Sequence, residues 1–311
     1  MATKKFNPSK DISDLSGKVI IVTGGNTGIG KASIDALAKH NPSKIYLTAR
    51  NAEKAKDAIK DIQQSSPNIS VSFLECDLNS LASVRAAAKT FASESQRLDI
   101  LMNNAGIMAV PQALSKDGYE IQFATNHLGH ALFIKLLLPT LLKTAEDPAA
   151  DVRVITLSST GAWFPPKGGI QFEAVRTTQE LGVGGKSLRY GQSKLANILY
   201  ADELSRHYPQ LTSVSIHPGI VQTQLVSQQP LHTRALISVS SLFVQGGAKF
   251  TPEEGAYNQL WAATAPKKDI KNGAFYTPVA ELAKPFKYSQ DQELREKLWT
   301  WTEKELESYE L

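Results

Sequence analysis

The chain lacks most of the features that mark secreted, membrane-spanning or nucleic-acid-binding proteins. Its one cysteine, Cys76, cannot form an internal disulfide bond, so nothing in the sequence indicates an oxidising compartment. Basic residues are spread along the chain without a block, and the net charge is only +4, which argues against nucleic acid as the main partner. No metal site is expected.

Long hydrophobic runs are also absent. The most apolar stretch, ALFIKLLLPTLL at 131–142, is short and contains Lys135 and Pro139, so it predicts a buried amphipathic helix and no transmembrane segment. The first residues are polar and have no apolar signal region, and the final residues SYEL match no lipidation or peroxisomal signal. We therefore expect a cytoplasmic protein.

What the sequence does contain is a regular alternation of apolar runs and helical segments. Its 311 residues are 42% hydrophobic and 21% charged, which is enough to bury a large core. Strand-like runs recur at 18–23, 44–49, 70–76, 98–103, 152–158 and 212–218. Because these runs are apolar almost throughout and alternate with helices, they predict a parallel sheet buried on both faces. The predicted fold class is α/β, a single-domain Rossmann-type doubly wound parallel sheet.

No break in composition divides the chain, so we interpret residues 1–311 as one domain. We assign cofactor binding to about 15–160, catalysis and substrate binding to about 160–285, and a C-terminal tail to 285–311. Two segments interrupt the alternation, 160–186 and 222–250, and long irregular segments in compact folds are often functional loops or lids. We predict that 222–250 is a substrate lid; the alternative is that it packs against the fold's own helices or forms a subunit or membrane contact. The candidate substrate contacts are Leu225, Leu242 and Phe243 in this lid, and Trp163 and Phe164 in the other segment.

The stretch TGGNTGIG at 23–30 joins the first predicted strand to a helix. In a doubly wound sheet such a turn leads into a helix whose free N–H groups suit a pyrophosphate. Gly24 allows the tight turn, Gly28 lets the backbone approach the phosphates, and Gly30 lets helix and strand pack closely. The spacing GxxxGxG departs from the general GxGxxG fingerprint, and its position after the first strand favours dinucleotide binding.

The end of the second strand indicates which dinucleotide binds. An acidic residue at this place would hold the ribose 2′-hydroxyl of NAD, whereas an arginine would accommodate the 2′-phosphate of NADP. Here Ala49 occupies the acidic position and Arg50 follows it. Since a guanidinium can bond two phosphate oxygens at once, we predict NADP(H) as the cofactor.

A second motif, YGQSK at 190–194, places Tyr190 and Lys194 four residues apart in a segment with helical periodicity. Both side chains therefore lie on one helix face, where an ammonium can stabilise a phenolate. Ser158 and Ser159 end an apolar strand, at the edge of an open α/β sheet where ligands bind. Together these residues indicate proton transfer to or from a bound substrate.

With these motifs in place, the sequence resembles the short-chain dehydrogenase/reductase family from about Leu15 to Ala280. TGGNTGIG, NNAG at 103–106, the serine-ended strand, YGQSK and HPGIVQT at 217–223 follow one another as in that family. The resemblance implies that Tyr190 transfers the proton and that Lys194 lowers its pKa and holds the ribose hydroxyls. It also implies that Ser159 holds the substrate oxygen and that Asn126, in FATNHLGH, keeps a water in the proton relay.

The same resemblance implies the remaining contacts. Asp77 would touch the adenine amine, and the turn that begins at Pro218 would hold the nicotinamide amide. The other implied cofactor contacts are Asn26, Thr27, Ile29, Leu78, Asn104, Ala105, Gly106, Gly219, Val221 and Thr223. Because the helices bearing Asn126 and Tyr190 commonly pair two subunits in this family, a homodimer is a further expectation.

Within the family, TGGNTGIGKA, NHLGH and YGQSKLAN are most similar to the retinol-dehydrogenase-like branch. One feature departs from the wider family: 31 residues separate Ser159 from Tyr190, a longer interval than in many members. The departure leaves the substrate pocket undefined, and Ser158 remains an alternative to Ser159.

We therefore expect an NADP(H)-dependent oxidoreductase that transfers hydride between the nicotinamide and a carbonyl or alcohol carbon of an apolar small molecule. The alternative is a non-catalytic dinucleotide-sensing regulatory or scaffold protein, because a fold alone never proves an activity. A cofactor-dependent isomerase or dehydratase is less favoured, since no second acid/base pair is visible. The complete Asn, Ser, Tyr and Lys set favours the oxidoreductase.

Overall fold

The computed structural model describes residues 6–222 and 249–311, and it contains all six strands that the sequence predicts. These are β1 (Val19–Thr23), β2 (Lys44–Ala49), β3 (Val71–Glu75), β4 (Ile100–Asn103), β5 (Arg153–Leu157) and β6 (Thr212–Ile216). Every residue of β1, β5 and β6 is buried. The apolar runs were therefore correctly interpreted as strands; β1, β5 and β6 are covered on both faces, whereas the edge strand β3 is only partly buried.

The strands of the described residues form one sheet with the order β3-β2-β1-β4-β5-β6-β7-β8, in which β7 is Phe275–Thr277 and β8 is Glu281–Leu282. All neighbours are parallel as far as β7, and only β8 runs antiparallel. The chain winds outwards from β1 in one direction and from β4 in the other, which confirms the doubly wound Rossmann-type fold. Ligands bind in such sheets at this reversal, beyond the carboxyl ends of the strands.

The helices of the described residues cover both faces of the sheet. They are α1 (Pro8–Asp11), α2 (Gly28–Leu37), α3 (Ala52–Ser65), α4 (Leu81–Glu94), α5 (Ile121–Phe123), α6 (Gly129–Ala145), α7 (Gly185–His207), α8 (Pro252–Thr264) and α9 (Gln292–Glu305). Polar side chains begin several of them: the side chains of Asn51, Ser80 and Asp291 each accept a hydrogen bond from a backbone N–H in the first turn. Such caps satisfy donors that the helix itself leaves free.

Successive side chains of a strand point to opposite faces of the sheet, so the core is divided into two layers. On one face, Ile21 and Leu101 join the buried side chains of α4, α6 and α7. On the other face, Ile20 and Val22 join those of α2, α3 and α8. Burying these side chains is the main source of stability, at roughly 25 cal/mol per Å² of apolar surface.

Two further strands, β7 (Phe275–Thr277) and β8 (Glu281–Leu282), were not predicted from the sequence. They contain three and two residues, which is too short for an apolar pattern to stand out. β7 extends the sheet by pairing Phe275 with Ser215, so the tertiary neighbour creates the strand.

The apolar run 131–142 lies in α6, as a buried helix. By length and composition the helix spanning Ile121–Ala145 would be long enough to cross a membrane, yet 61% of its most apolar window is buried inside the protein. Its side chains pack against α4 and the sheet. This packing favours the core helix that the sequence predicts.

The C-terminal helix α9 lies against α7 and the start of the α5–α6 region. The Trp299 ring stacks on His207 and Tyr200, with ring centres 4.3 and 4.9 Å apart. Trp301 packs on Phe123, and Arg295 pairs with Glu203 at 2.7 Å. The chain's own helix thus covers part of the surface on which the family resemblance led us to expect a second subunit.

Candidate active site

The glycine turn 23–30 lies at the carboxyl end of β1 and begins α2. Gly24 has φ +64° and Gly28 has φ +54°, in the left-handed region that favours glycine. A Cβ at Gly30 would lie 2.5 Å from the Gly24 carbonyl oxygen, so the absent side chain lets helix and turn touch. Thr27 stands at the N-cap without a side-chain cap. The first turn of α2 therefore keeps free N–H groups that fit a pyrophosphate.

The strand end 104–106 lies beside this turn. Asn104 donates from Nδ2 to the Thr23 carbonyl at 2.8 Å, while its Oδ1 is buried without a hydrogen-bond partner among the described residues. A Cβ at Gly106 would lie 3.1 Å from Asn126 Oδ1 and 3.5 Å from Lys194 Nζ. Glycine at this position brings the strand end close to both predicted catalytic side chains.

The predicted adenosine contacts lie at the ends of β2 and β3. Arg50 directly follows β2 and is exposed, and its guanidinium makes no hydrogen bond or ion pair with the part of the chain described here. Asp77 pairs with Lys116 at 2.9 Å and also accepts from the Asn79 N–H at 3.1 Å. Leu78 is buried next to it. The guanidinium is therefore unengaged by the described residues at the position where the sequence predicts a 2′-phosphate contact.

Ser159 and Tyr190 meet despite the 31-residue interval between them. Ser159 lies near Tyr190 and opposes the rise in the pKa of its phenol, whereas Ser158 is buried and donates to the Lys194 carbonyl at 2.7 Å. A Cβ at Gly161 would lie only 2.9 Å from Tyr190 Cε1. Ser159 is therefore the serine that lies beside Tyr190, whereas the Ser158 hydroxyl bonds the backbone of α7.

Asn126 lies in the π-helical turn Ala124–Leu128 between α5 and α6. Its Oδ1 accepts from the Ile107 N–H at 2.8 Å. Its Nδ2 donates to the Ile107 carbonyl and to Ser193 Oγ, each at 2.9 Å. The side chain therefore joins the strand end after β4 to the catalytic helix α7.

Burial is the dominant electrostatic influence on the tyrosine and the lysine. It raises the pKa of Tyr190, and the nearby Ser159 hydroxyl partly offsets that rise. It also lowers the pKa of Lys194 to about 7. Lys194 Nζ donates to the Leu157 carbonyl at 3.0 Å and lies 5.8 Å from the centre of the Tyr190 ring. In this geometry the net pKa shift of Tyr190 is upward, opposite to the direction that the resemblance implies.

The predicted nicotinamide turn follows β6. Pro218 and Gly219 lie there, with Gly219 at φ +89°, and Val221 is buried. Val221 forms a parallel bridge with Phe250, so the chain returns beside the point from which it leaves. The predicted contacts Thr223, Leu225, Leu242 and Phe243, and nearly all of the predicted lid, lie outside the described residues.

Trp163 and Phe164, the other predicted substrate contacts, lie at the end of a 3-10 turn, Thr160–Trp163, just past Ser159. Both side chains are exposed, Phe164 more than Trp163. A Cβ at Gly191 would lie 2.5 Å from the Phe164 carbonyl oxygen. The glycine of YGQSK, which sequence reasoning did not single out, thus lets this segment rest directly on α7.

Several buried polar side chains that the sequence analysis missed organise the loops beside Tyr190. Arg189 donates to the carbonyls of Gln179 at 3.0 Å and Val110 at 3.4 Å. Gln192 donates to Gln179 Oε1 at 2.9 Å, and Gln122 accepts from the Ala109 N–H at 2.7 Å. Only their position beside a catalytic motif could have drawn attention to them.

Two of these contacts hold backbone in an uncommon conformation. Ala109 and Gln179 have φ +50° and +49°, a region that non-glycine residues rarely adopt. Such conformations persist only where the surroundings hold them, and they cluster at functional sites. The segment between Ser159 and Tyr190 is therefore fixed to α7 by specific bonds.

A doubly wound sheet with a serine, a tyrosine, a lysine and a dinucleotide-type glycine turn at one edge defines a class of nicotinamide-dependent enzymes. The family model described as short chain dehydrogenase matches residues 18–175. The chain belongs to the short-chain dehydrogenase/reductase family. Its members are oxidoreductases that use NAD or NADP.

Individual relatives agree with this assignment. The chain is 41% identical over 313 residues to the short-chain dehydrogenase/reductase drtF of Aspergillus calidoustus, covering 96% of this chain and 97% of the relative. It is 36% identical to human retinol dehydrogenase 11, over 85% of this chain and 78% of that protein. Among solved structures, one protein from Mycobacterium Paratuberculosis superimposes with a TM-score of 0.72 at 27% identity, covering 97% of each chain.

Proposed function

We propose that this protein is an NADP(H)-dependent oxidoreductase that interconverts a carbonyl and an alcohol on an apolar small molecule. The observation that carries the proposal is the convergence of Ser159, Tyr190 and Lys194 beside the uncapped start of α2. Bound there, the nicotinamide would supply or take up hydride. The exposed Arg50, with no acidic residue before it, supports NADP(H) over NAD(H).

The chain's own residues would handle the substrate oxygen and the proton. Ser159 and Tyr190 both lie beside Gly161, and a carbonyl oxygen bound between them would accept from both hydroxyl groups. The raised pKa of Tyr190 keeps its phenol protonated at neutral pH, which is the state that donates a proton during reduction. Asn126 and Lys194 both lie beside Gly106 and would return the proton.

The likeness to retinol dehydrogenase 11 and the exposed Trp163 and Phe164 support an apolar substrate. We also propose a reducing compartment, the cytoplasm, with which the free and buried Cys76 agrees.

The test is NADPH oxidation with a panel of aldehydes and ketones of increasing size, followed by Tyr190→Phe on any carbonyl that is reduced. Turnover should fall by roughly 10²–10⁴-fold while NADPH binding survives, because only the proton donor is lost. Tyr208→Phe, at the far end of the same helix, is the matched control and should keep turnover. Near-normal turnover of Tyr190→Phe would overturn the mechanism. NADPH binding without reduction of any carbonyl would favour a dinucleotide-sensing protein.

A further inference from the structure

His130, in the first turn of α6, lies between two parts of the site. Its Nδ1 is 3.0 Å from the Asn126 carbonyl oxygen, and its Nε2 is 2.9 Å from Thr23 Oγ1. The side chain is only 2% exposed. Thr23 ends β1 and precedes the glycine turn, so one imidazole ring bridges the cofactor-binding turn and the predicted catalytic asparagine.

Counting donors fixes the direction of these bonds. Thr23 Oγ1 accepts from the backbone N–H groups of Asn104 and Ala105, each at 2.9 Å, which uses both of its lone pairs. Its one proton points to His130 Nε2 at 2.9 Å in preference to the Met102 carbonyl at 3.4 Å. The Asn126 carbonyl can only accept, so His130 Nδ1 carries the hydrogen.

The ring is therefore neutral, protonated on Nδ1 and accepting on Nε2. Burial lowers the pKa of His130 to about 4, and the nearby Lys194 acts in the same direction. A charged ring would direct a second N–H at Thr23 Oγ1, which has no lone pair left. Each polar atom of this bridge thus acts either as a donor or as an acceptor. Only a neutral histidine can accept from Thr23 and donate to the Asn126 carbonyl at the same time.

The bridge completes the fixation of Asn126. The asparagine side chain already bonds the Ile107 backbone and Ser193 Oγ. Its carbonyl lies in the π turn Ala124–Leu128, where the helical ladder is irregular. The His130 Nδ1–H provides a side-chain donor to this carbonyl. On the other side, Thr23 ties the start of the 104–106 segment to the glycine turn.

We propose that His130 is a positioning residue, which couples the cofactor-binding turn to Asn126 through Thr23 on one side and the Asn126 carbonyl on the other. The inference rests on the proposed function of the same site. It predicts two separable effects, one on cofactor affinity through Thr23 and one on turnover through Asn126.

Two isosteric substitutions separate these effects. His130→Asn keeps an N–H near the Nδ1 position and loses the acceptor for Thr23, whereas His130→Gln keeps an acceptor near the Nε2 position and loses the donor. We expect His130→Asn to weaken NADPH binding by about 3–10-fold, as for one lost hydrogen bond, with turnover at saturating NADPH largely kept. We expect His130→Gln to keep the NADPH affinity and to lower turnover by roughly 10–100-fold, because Asn126 is misplaced. His130→Phe should show both defects.

Thr23 provides an independent arm. Thr23→Ser keeps the hydroxyl and should bind NADPH normally, whereas Thr23→Val also frees the Asn104 and Ala105 N–H groups and should weaken NADPH binding at least as much as His130→Asn. This pair decides the Thr23 side of the proposal if the His130 variants fail to fold, which circular dichroism would show. Equal behaviour of the Asn and Gln variants, or unchanged affinity and turnover in His130→Phe, would overturn the proposal.

Two readouts do not depend on a known substrate. NADPH binding is measured by quenching of protein fluorescence, and hydrogen exchange reports on the amides of the π turn. If the unmodified protein reduces no carbonyl, the proposed function fails, while these readouts still test the bridge. The positioning role then requires faster exchange at 124–128 in His130→Gln than in His130→Asn, and equal rates would contradict it.

Discussion

Arg189 and Glu120 form an ion pair in the protein interior, with Arg189 Nε 3.2 Å from Glu120 Oε1 and side chains 2% and 0% exposed. The contact is electrostatic, since neither atom has a well-directed hydrogen bond. Burial raises the pKa of Glu120, and its backbone hydrogen bonds and Arg189 oppose that shift. The pair lies directly beside Tyr190 and joins α7 to the residue that begins α5.

Removing one partner of this pair should cost much more than removing an exposed one. Arg189→Met leaves a buried carboxylate and frees the Gln179 and Val110 carbonyls, so we expect the free energy of unfolding to fall by about 3–5 kcal/mol. Arg206→Met, on the same helix but with an exposed side chain paired to Asp202, should cost less than about 1 kcal/mol. Urea unfolding measures both, and similar losses for the two variants would contradict the role of the buried pair.

Cofactor preference should depend on Arg50. Arg50→Ala removes one charge-assisted phosphate contact, so we expect it to weaken NADPH binding by about 1.5–3 kcal/mol and to leave NADH binding nearly unchanged. Lys56→Ala, an exposed basic residue on the adjoining α3, is the control and should change neither affinity. If the unmodified protein binds the two cofactors equally well, Arg50 does not select between them.

Lys194 should make the free protein less stable at low pH than at high pH. Its pKa is lowered to about 7 by burial, whereas the unfolded chain has a value near 10.5. Between these values the unfolded state binds more protons, so stability rises as the pH rises from about 7 to about 10, and below 7 the full cost of burying the charge applies.

Lys194→Met should therefore be more stable than the unmodified protein at pH 6, and its advantage should shrink by pH 10. The Leu157 carbonyl keeps a partner in the variant, since Asn197 also donates to it at 2.9 Å. Thermal unfolding across this pH range, without cofactor, measures the difference. A stability difference that does not change with pH would show that Lys194 stays charged in the folded protein over this range, so that burial does not lower its pKa.

The 311-residue chain should be a monomer unless it pairs through a surface other than the one that α9 covers. Trp299 of α9 packs on α7, and Trp301 of α9 packs on Phe123. A second copy of the chain that bound this surface would have to displace both tryptophan side chains. Light scattering after size exclusion should give a mass near 33.9 kDa. A dimer that survives dilution, combined with fast hydrogen exchange in α9, would show that a second copy of the chain displaces α9 from this surface.

The sequence by itself determined the strands and the order of the motifs. Runs such as 18–23 are apolar almost throughout, as is typical of strands in a sheet covered on both faces. The glycine turn was equally visible, because positive φ at Gly24 and close packing at Gly30 need residues without a side chain. These requirements are local, so each of them can be recognised from residue types that are close together in the sequence.

Tertiary structure alone decided which polar side chains meet. Ser159 rather than Ser158 faces Tyr190 because strand alternation and the 3-10 turn after β5 direct the two hydroxyls differently. Thr23 and His130 are 107 positions apart, and only the packing of α6 against β1 joins them. The upward pKa shift of Tyr190 depends likewise on burial by distant segments. Hydrogen bonds and desolvation depend on distances in space, which a pattern along the chain does not record.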